Sequence, residues 1–113
     1  MEDTGSPKTT KEYPHAEYSI LLPADAMMPV HQRNHRLYDR FLPFFAQYLP
    51  PGALVVDVGA YCGDTMAAML AANPGLRFVC IEGDGDRFDL LEENVRRIQS
   101  ALRDVDVHTV RAY

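Results

Sequence analysis

Apolar residues follow two patterns in the second half of the chain, one typical of strands and one typical of helices. Continuous apolar runs rich in β-branched residues occur at Leu54–Val58 and Leu76–Ile81, and such runs predict strands buried on both faces, as in parallel sheets. Val105–Val110 alternates and predicts a third strand. Helical patterns separate them, because Met66–Ala72 is rich in Ala and Met, and Phe88–Leu102 repeats apolar residues every three or four positions. This order predicts an α/β fold.

A further helical pattern, Leu37–Leu49, comes before the first strand. Its apolar residues recur every three or four positions, which is typical of a helix with one buried side. Pro43 fits if the helix begins near Asp39, and otherwise it bends the helix. We expect the apolar stripe to belong to the core and to cover one face of the sheet; its members are Leu37, Phe41, Phe44, Phe45 and Tyr48.

The chain divides into an N-terminal arm with a pocket-lining preamble, residues 1–36, and a sheet-containing domain, residues 37–113. Met1–Glu12 is polar and predicts a mobile arm, because it has too few apolar residues to pack. Tyr18–Pro23 is apolar and predicts a short strand or an extended segment packed on the sheet.

Histidine and cysteine positions predict neither a metal site nor a disulfide. His31 and His35 are four residues apart, a spacing that can hold zinc on a helix. No third ligand lies nearby, so we interpret them as polar residues at a helix start or in the lining of a pocket. Cys62 and Cys80 are too few for a disulfide framework and predict reduced thiols. A catalytic thiol at Cys62 is disfavoured, because no histidine is close in sequence.

Composition excludes several classes of protein. A chain of 113 residues forms at most one domain, and its 47% apolar content supports a small core. Its net charge of −5 argues against a nucleic acid or an anionic membrane as partner. No apolar run is long enough to span a bilayer, and the N-terminus lacks the apolar region of a secretory signal. We therefore expect a cytoplasmic protein.

The strand Leu54–Val58 leads into a loop punctuated by glycines and then into a helix. Gly59 permits a sharp turn and a close approach of ligand to backbone, because it has no Cβ. Gly63 serves either helix-to-strand packing or a positive φ, and Asp64 and Thr65 are good helix N-caps. Strand, glycine loop and helix form half of a βαβ unit that binds a ligand at the carboxyl end of its strand. A tight turn without a ligand is the alternative.

Charges around this loop indicate which ligand fits it. No Lys or Arg occurs between Arg40 and Arg77, whereas Asp57 and Asp64 flank the loop. Carboxylates repel a pyrophosphate, and Tyr61 stands where a dinucleotide fingerprint has its middle glycine. A ligand with a sulfonium and an α-ammonium group fits instead, and S-adenosylmethionine carries both.

Glu82 provides a second observation in agreement with the loop. It follows the second strand, about twenty residues beyond the glycines, and an acidic side chain there accepts hydrogen bonds from ribose hydroxyls. A solvated carboxylate at a strand end is the alternative.

Three segments together resemble the FkbM-type class I methyltransferases. These segments are Val55–Thr65, Ile81–Asp84 and the spaced residues of Phe88-x-x-Leu91-x-x-Asn94. That family typically shows a D-V-G-A-N-x-G-D-T loop, an E-P-D strand end and an F-x-x-L-x-x-N helix. Tyr61 replaces the usual Asn, and Gly83 replaces the usual Pro. The resemblance runs from roughly Leu21 to the end of the chain.

The resemblance implies methyl transfer from S-adenosylmethionine by in-line displacement at the sulfonium methyl. It implies that 59–63 contacts the methionine portion through backbone, that Asp57 orients the loop and attracts the ammonium group, and that Glu82 holds the ribose. Gly83 and Asp84 would border the adenosine side. The full expected cofactor set is Asp57, Gly59, Ala60, Tyr61, Cys62, Gly63, Asp64, Thr65, Glu82, Gly83 and Asp84. The resemblance makes the acceptor a glycan or small metabolite, methylated on oxygen, and we assign no catalytic residue.

The implied architecture is a partial Rossmann-like fold with parallel strands in the order 3-2-1, counted from Leu54–Val58 as strand 1. Strand 1 is apolar on both faces, yet it would lie at an exposed edge. We therefore expect this chain to be the N-terminal part of a longer methyltransferase, whose remaining half covers strand 1, or a short protein in which a second chain covers it. A general base would then come from beyond a fourth strand.

Two other functions stay open at this stage. A nicotinamide- or flavin-dependent oxidoreductase shares the strand–loop–helix pattern, but the G-x-G-x-x-G fingerprint is missing. A non-catalytic interaction module is the other alternative, supported by Tyr61 and by the short chain.

Overall fold

A computed structural model describes residues 10–24 and 36–113 of the chain. From residue 54 onward it confirms the predicted alternation of strands and helices, with boundaries shifted by one to three residues. His31 and His35, which we interpreted as polar residues at a helix start or in a pocket lining, lie outside the described residues. The elements in chain order are β1 (Thr10–Pro14), β2 (Ser19–Pro23), α1 (Arg36–Ala46), β3 (Leu54–Val58), α2 (Asp64–Ala72), β4 (Arg77–Glu82), α3 (Gly85–Ala101) and β5 (Asp106–Arg111).

The functional half of the molecule is a parallel sheet of three strands in the order β3-β4-β5. The expected order was 3-2-1, with Leu54–Val58 counted as strand 1. The observed order is β3-β4-β5, because two further strands precede Leu54–Val58 in the chain and make it the third strand. Val55 lies beside Phe78, Asp57 beside Cys80, and Glu82 beside Arg111. Among the described strands, β3 pairs only with β4 and therefore forms an edge.

One face of the sheet is covered by helices, and this covered face contains the core. Phe78 and Cys80 of β4 point to this side and are fully buried. Helix α3 packs on β4 and β5, and its apolar stripe buries Leu91 and Ile98 completely. Helix α2 contributes Met66, Ala67, Met69 and Leu70 to the same cluster. Burial of this apolar area is the main stabilising term of the fold.

The opposite, open face of the sheet carries an apolar row that remains exposed. Leu54, Val56 and Val58 of β3 alternate with the half-buried Val55 and Asp57. Val58 is 75% exposed, far above what a strand of a parallel sheet normally shows, since such sheets are covered on both faces. The expectation of an uncovered apolar strand is therefore confirmed for the residues described.

Residues 10–23 form a β-hairpin, which overlaps the last three residues of the predicted mobile arm. Strands β1 and β2 pair antiparallel, so residues 10–12 of the predicted mobile arm belong to a strand. Ile20 and Leu22 are fully buried, and outside the hairpin β2 packs on α3 and α2 instead of the sheet. The expected short strand at Tyr18–Pro23 is confirmed, and its partner strand was not anticipated.

Helix α1 does not cover the sheet as predicted. It packs on α2, ends at Ala46 instead of Leu49, and contains Pro43 in its interior. Most of its aromatic stripe is exposed: Phe41, Phe44, Phe45 and Tyr48. The rings pack on one another instead, with Phe41 and Phe45 stacked at 6.1 Å between centroids. Within the described residues, no helix is long and apolar enough to cross a membrane.

Candidate cofactor-binding site

The loop between β3 and α2 has a backbone shape that favours glycine. Gly59, Tyr61 and Gly63 have positive φ angles of 74°, 59° and 89°, a region in which glycine has no steric cost. The backbone N–H groups of Gly59 and Ala60 both donate to the carbonyl oxygen of Ile81, at 2.9 Å each. The loop is thereby fastened to the end of β4, and its remaining backbone faces the carboxyl edge of the sheet.

The sequence left two explanations for Gly63, a positive φ or close packing of the helix, and the structure supports both. Its φ is positive, and a Cβ at this position would lie 2.9 Å from side-chain atoms of Leu91 and Met66. Gly63 is also the N-cap residue of α2, with no side-chain hydrogen bond at the cap. The prediction that Asp64 or Thr65 caps the helix is therefore wrong, because Asp64 is already the first helical residue.

Glu82 is buried and turned towards the glycine loop. Its Oε1 accepts a hydrogen bond from the backbone N–H of Tyr61 at 2.7 Å, and its Oε2 accepts one from the N–H of Asp84 at 3.0 Å. The carboxylate thus joins the loop after β3 to the turn after β4. Each carboxylate oxygen has a further lone pair, so ligand hydroxyls can still bind to it.

Asp57 is the one charged group of this site with an unsatisfied buried atom. Its Oδ2 is buried and has no hydrogen-bond partner among the described residues. Burial, followed by the negative charges of Asp64 and Glu82, raises the pKa of the Asp57 carboxyl above its ordinary value. The charges of Asp64 and Glu82 thus act on Asp57 at the carboxyl edge, and a cation beside Asp57 would offset them.

Cys62 lies inside this loop and has no reactive character. Its side chain is fully buried, and burial, followed by the charge of Asp64, raises the pKa of its thiol to about 12. A thiol with such a pKa is protonated at neutral pH and is a poor nucleophile. The backbone carbonyl oxygen of Cys62 accepts a hydrogen bond from Asn94 Nδ2, which links the loop to α3.

Asn94 holds the loop and the hairpin in place. Its Oδ1 accepts the N–H of Leu21 at 2.7 Å, and its Nδ2 donates to the carbonyl oxygens of Leu21 and Cys62 at 2.8 and 2.9 Å. Asn94 is the last residue of the F-x-x-L-x-x-N motif. The structure gives it a physical role, since a fully buried amide links the glycine loop to β2 through α3.

Sequence reasoning missed three residues at the rim of the site. The guanidinium carbon of Arg87 lies 4.9 Å from the centre of the Tyr61 ring, a cation–π contact. Arg111 and Tyr113, at the end of β5, lie against Gly85 and Gly83. The sequence neighbours of the loop carry no positive charge, whereas the carboxyl ends of all three parallel strands meet at one edge of the sheet. Applying that rule to β5 would have found Arg111.

Within the described residues, no group of three potential metal ligands from His, Cys, Asp and Glu comes together. The expected site residues do lie at one edge, because β3 and β4 are neighbours in register and Glu82 binds the Tyr61 amide. Their role in binding a cofactor stays a prediction.

Solved structures with a similar fold are methyltransferases. An S-adenosylmethionine-dependent methyltransferase from Agrobacterium tumefaciens matches with a TM-score of 0.63 at 13% identity, covering 89% of this chain and 31% of its own. TYW2 from P. horikoshii, solved in complex with MeSAdo, matches with a TM-score of 0.61 at 20% identity, covering 92% and 37%. Precorrin-6y C5,15-methyltransferase from Geobacter metallireducens matches with a TM-score of 0.50 at 16% identity, covering 65% and 37%.

This chain has the fold of one part of these methyltransferases. It spans 31% to 37% of their lengths. No protein-family model matches the sequence, and no curated protein matches it. The resemblance to the FkbM-type family is therefore unconfirmed and remains a prediction, whereas the methyltransferase-like α/β fold is established.

Proposed function

We propose that this chain is the cofactor-binding part of an S-adenosylmethionine-dependent methyltransferase. The observation that carries the proposal is the buried, unpartnered Oδ2 of Asp57 beside a glycine loop, in a cluster with Asp64 and Glu82. An isolated buried carboxylate is costly, and a bound cation removes that cost. Both the methyltransferase-like fold and the resemblance to the FkbM-type family support the same ligand.

Each part of the site receives one portion of the cofactor in this proposal. Asp57 pairs with the α-ammonium group, and the backbone of 59–63 contacts the methionine portion at close range. Glu82 accepts hydrogen bonds from the ribose hydroxyls. Asp64 and Thr65 continue the loop into the first turn of α2, and Gly83 and Asp84 border the adenosine. The residues of the loop in this set are Gly59, Ala60, Tyr61, Cys62 and Gly63.

The cofactor, when bound, supplies a methyl group activated for in-line displacement. The residues of this chain contribute binding and orientation, because Glu82 accepts hydrogen bonds from both the loop after β3 and the turn after β4, the two segments proposed to contact the cofactor. We propose a hydroxyl of a glycan or small metabolite as acceptor, following the family resemblance, and assign no general base.

We further propose that another polypeptide segment covers β3. Its backbone edge is unpaired among the described strands, and Leu54, Val56 and Val58 are exposed beside it. A strand added at this edge and an apolar helix on this face would bury both. The segment is either the remaining half of the methyltransferase domain or a second chain, and a cytoplasmic setting suits the two buried thiols.

Calorimetric titration of the folded chain with S-adenosylmethionine and with NAD tests this proposal. We expect S-adenosylmethionine to bind and NAD to be repelled by the carboxylates. Asp57→Asn should weaken S-adenosylmethionine binding about tenfold or more, since hydrogen bonds to charged groups contribute roughly 1.5–3 kcal/mol. Asp104→Asn is the matched control, because Asp104 is exposed in the turn before β5, at the other end of the sheet.

Other outcomes of this titration favour the alternatives. Binding of NAD without S-adenosylmethionine would indicate the oxidoreductase. A folded chain that binds neither ligand would indicate the non-catalytic module. Equal affinities for wild type and Asp57→Asn would remove the charge argument itself.

A further inference from the structure

The two outer strands of the parallel sheet differ in the side chains that they carry. Among the strands that the structure describes, β3 and β5 each pair with β4 alone, so each has one free edge. Strand β5 contains Asp106, His108 and Arg111, and charged side chains keep natural edge strands from pairing with other chains. Strand β3 reads Leu-Val-Val-Asp-Val and contains no Lys, Arg or Pro. The edge of β3 therefore lacks this protection against strand pairing.

The hydrogen bonds between β3 and β4 show which backbone groups of β3 point to its free edge. The N–H of Arg77 donates to the carbonyl oxygen of Ala53 at 2.9 Å. At the other end of the strand, the N–H of Gly59 donates to Ile81, also at 2.9 Å. In a parallel ladder every second residue bonds to the same neighbour, so alternate residues from Ala53 to Gly59 face β4. The backbone groups of the residues between them point away from β4: Leu54, Val56 and Val58.

We propose that a second copy of this chain pairs with β3, antiparallel, about a two-fold axis through Val56. In this register Val56 lies opposite Val56 of the other copy, and Leu54 lies opposite Val58. A two-fold interface uses the same patch on both copies, so the patch must complement itself. Here each outward-facing residue meets an apolar residue, and their N–H and C=O groups bond across the interface. These three residues also carry the exposed apolar side chains of β3.

The charge of Asp57 favours this register over its neighbours. With the axis at Val56, Asp57 lies opposite Val55 of the other copy. An axis through Asp57 would place two carboxylates directly opposite each other, which destabilises a strand pair. An axis through Val55 would place Val58 opposite Gly52, outside the strand. The register at Val56 is therefore the one that pairs the whole strand without opposing like charges.

The inference deepens one part of the proposed function, the covering of β3, and names the partner. It does not depend on cofactor binding. Pairing of this kind joins the three-stranded sheets of two copies into one continuous sheet. Because the two β3 strands run in opposite directions, their glycine loops lie at opposite ends of the paired strands. Each candidate site is then built from the residues of its own chain.

Light scattering coupled to size-exclusion chromatography, over about a hundredfold range of protein concentration, tests the inference. We expect the mass to rise from the 12.7 kDa of one chain towards twice that value. Val56→Lys places two ammonium groups opposite each other at the axis and should weaken self-association about tenfold. Val110→Lys is the matched control, because Val110 is exposed on the same face of the sheet but lies on β5. Circular dichroism of both variants establishes that they are folded.

Amide hydrogen exchange, measured residue by residue, tests the edge itself. At high protein concentration the amides of Leu54, Val56 and Val58 should be protected, and dilution should remove this protection. The amides of Val55 and Asp57 face β4 and should stay protected at both concentrations. An alternating, concentration-dependent pattern of this kind is expected from strand pairing at the edge, and not from packing of one sheet face on another.

The possible results separate this inference from the proposed function. A mass of one chain at every concentration would overturn the inference, and so would a dimer that Val56→Lys leaves intact. A dimer without the alternating protection uses another surface, and the inference is again wrong. Titration of the same samples with S-adenosylmethionine tests the proposed function separately. A dimer that binds no S-adenosylmethionine would remove the proposed function alone, and a monomer that binds it would remove this inference alone.

Discussion

The two faces of the parallel sheet are built from the same strands but differ in burial. On the covered face, Phe78 and Cys80 are completely buried under helices. On the open face, Leu54, Val56 and Val58 are apolar and yet exposed. Side chains alternate between the two faces of a sheet along each strand. A strand that is apolar on both faces therefore normally packs against other elements on both faces. The difference shows that the described residues bury the apolar side chains of one face of the sheet and leave those of β3 on the other face exposed.

The candidate site is held in place by residues on the covered face of the sheet. Asp57 and Glu82 share the covered face with Phe78 and Cys80, as their strand register shows. The loop after β3 is held from the same side by Asn94 of α3. Residues of the covered face therefore position the two carboxylates and the loop of the candidate site without any contribution from the open face.

The strongest test of this difference removes one side chain from each face. Phe78→Ala leaves a cavity in the covered core and should lower the free energy of unfolding by about 3–5 kcal/mol. Val56→Ala removes an exposed side chain from the open face and should cost less than about 1 kcal/mol. Urea denaturation followed by circular dichroism measures both. A large cost at Val56 in the chain alone would mean that this face is already covered.

A smaller effect is expected from the amide that links hairpin, α3 and loop. Asn94→Ala leaves buried polar groups of Leu21 and Cys62 without partners, which should cost about 1–3 kcal/mol. The amide hydrogen of Leu21 should also exchange faster in the variant. Gln99→Ala changes an exposed residue of the same helix and is the control. Unchanged exchange at Leu21 would show that Asn94 does not hold the hairpin.

The smallest expected effect concerns pH. Burial, with the charges of Asp64 and Glu82, raises the pKa of Asp57 in the folded state, so the folded protein keeps this proton to a higher pH than the unfolded chain. The contribution of Asp57 to stability is therefore present at low pH and declines as the pH rises through the raised pKa. Asp57→Asn should remove this decline in denaturation curves recorded from about pH 4 to about pH 7.

A bound cation should act on the same group in the opposite direction. Positive charge beside Asp57 lowers its pKa, so cofactor binding should strengthen as the pH rises and should release a proton. Stability that rises with pH and loses that rise in Asp57→Asn would contradict the assignment of a raised pKa.

Much of the sheet was predictable because local signals agree there. The β-branched run at Leu54–Val58 and the apolar stripe of α3 each determine one element, and the order of elements then determines the fold class. The orientation of Glu82 towards the glycine loop follows from two parallel neighbouring strands.

What sequence reasoning missed depends on contacts between distant residues. Strand β1 contains Lys11 and Glu12 and has no strong local strand signal. It forms because its backbone pairs with the edge of β2. The aromatic stripe of α1 has the periodicity of a buried face, but periodicity does not say whether a partner is present to cover it. Arg87 and Tyr113 reach the site only through the folded sheet.

Nuclear magnetic resonance of backbone amides during titration with S-adenosylmethionine tests the central claim most directly. The claim predicts shifts at Gly59–Gly63 and at Glu82–Asp84, with unchanged signals at Gly52 and Gly75 on the opposite edge of the sheet, and no such shifts with NAD. Shifts produced by NAD at the glycine loop, or an unchanged spectrum of the folded chain at saturating S-adenosylmethionine, would contradict it.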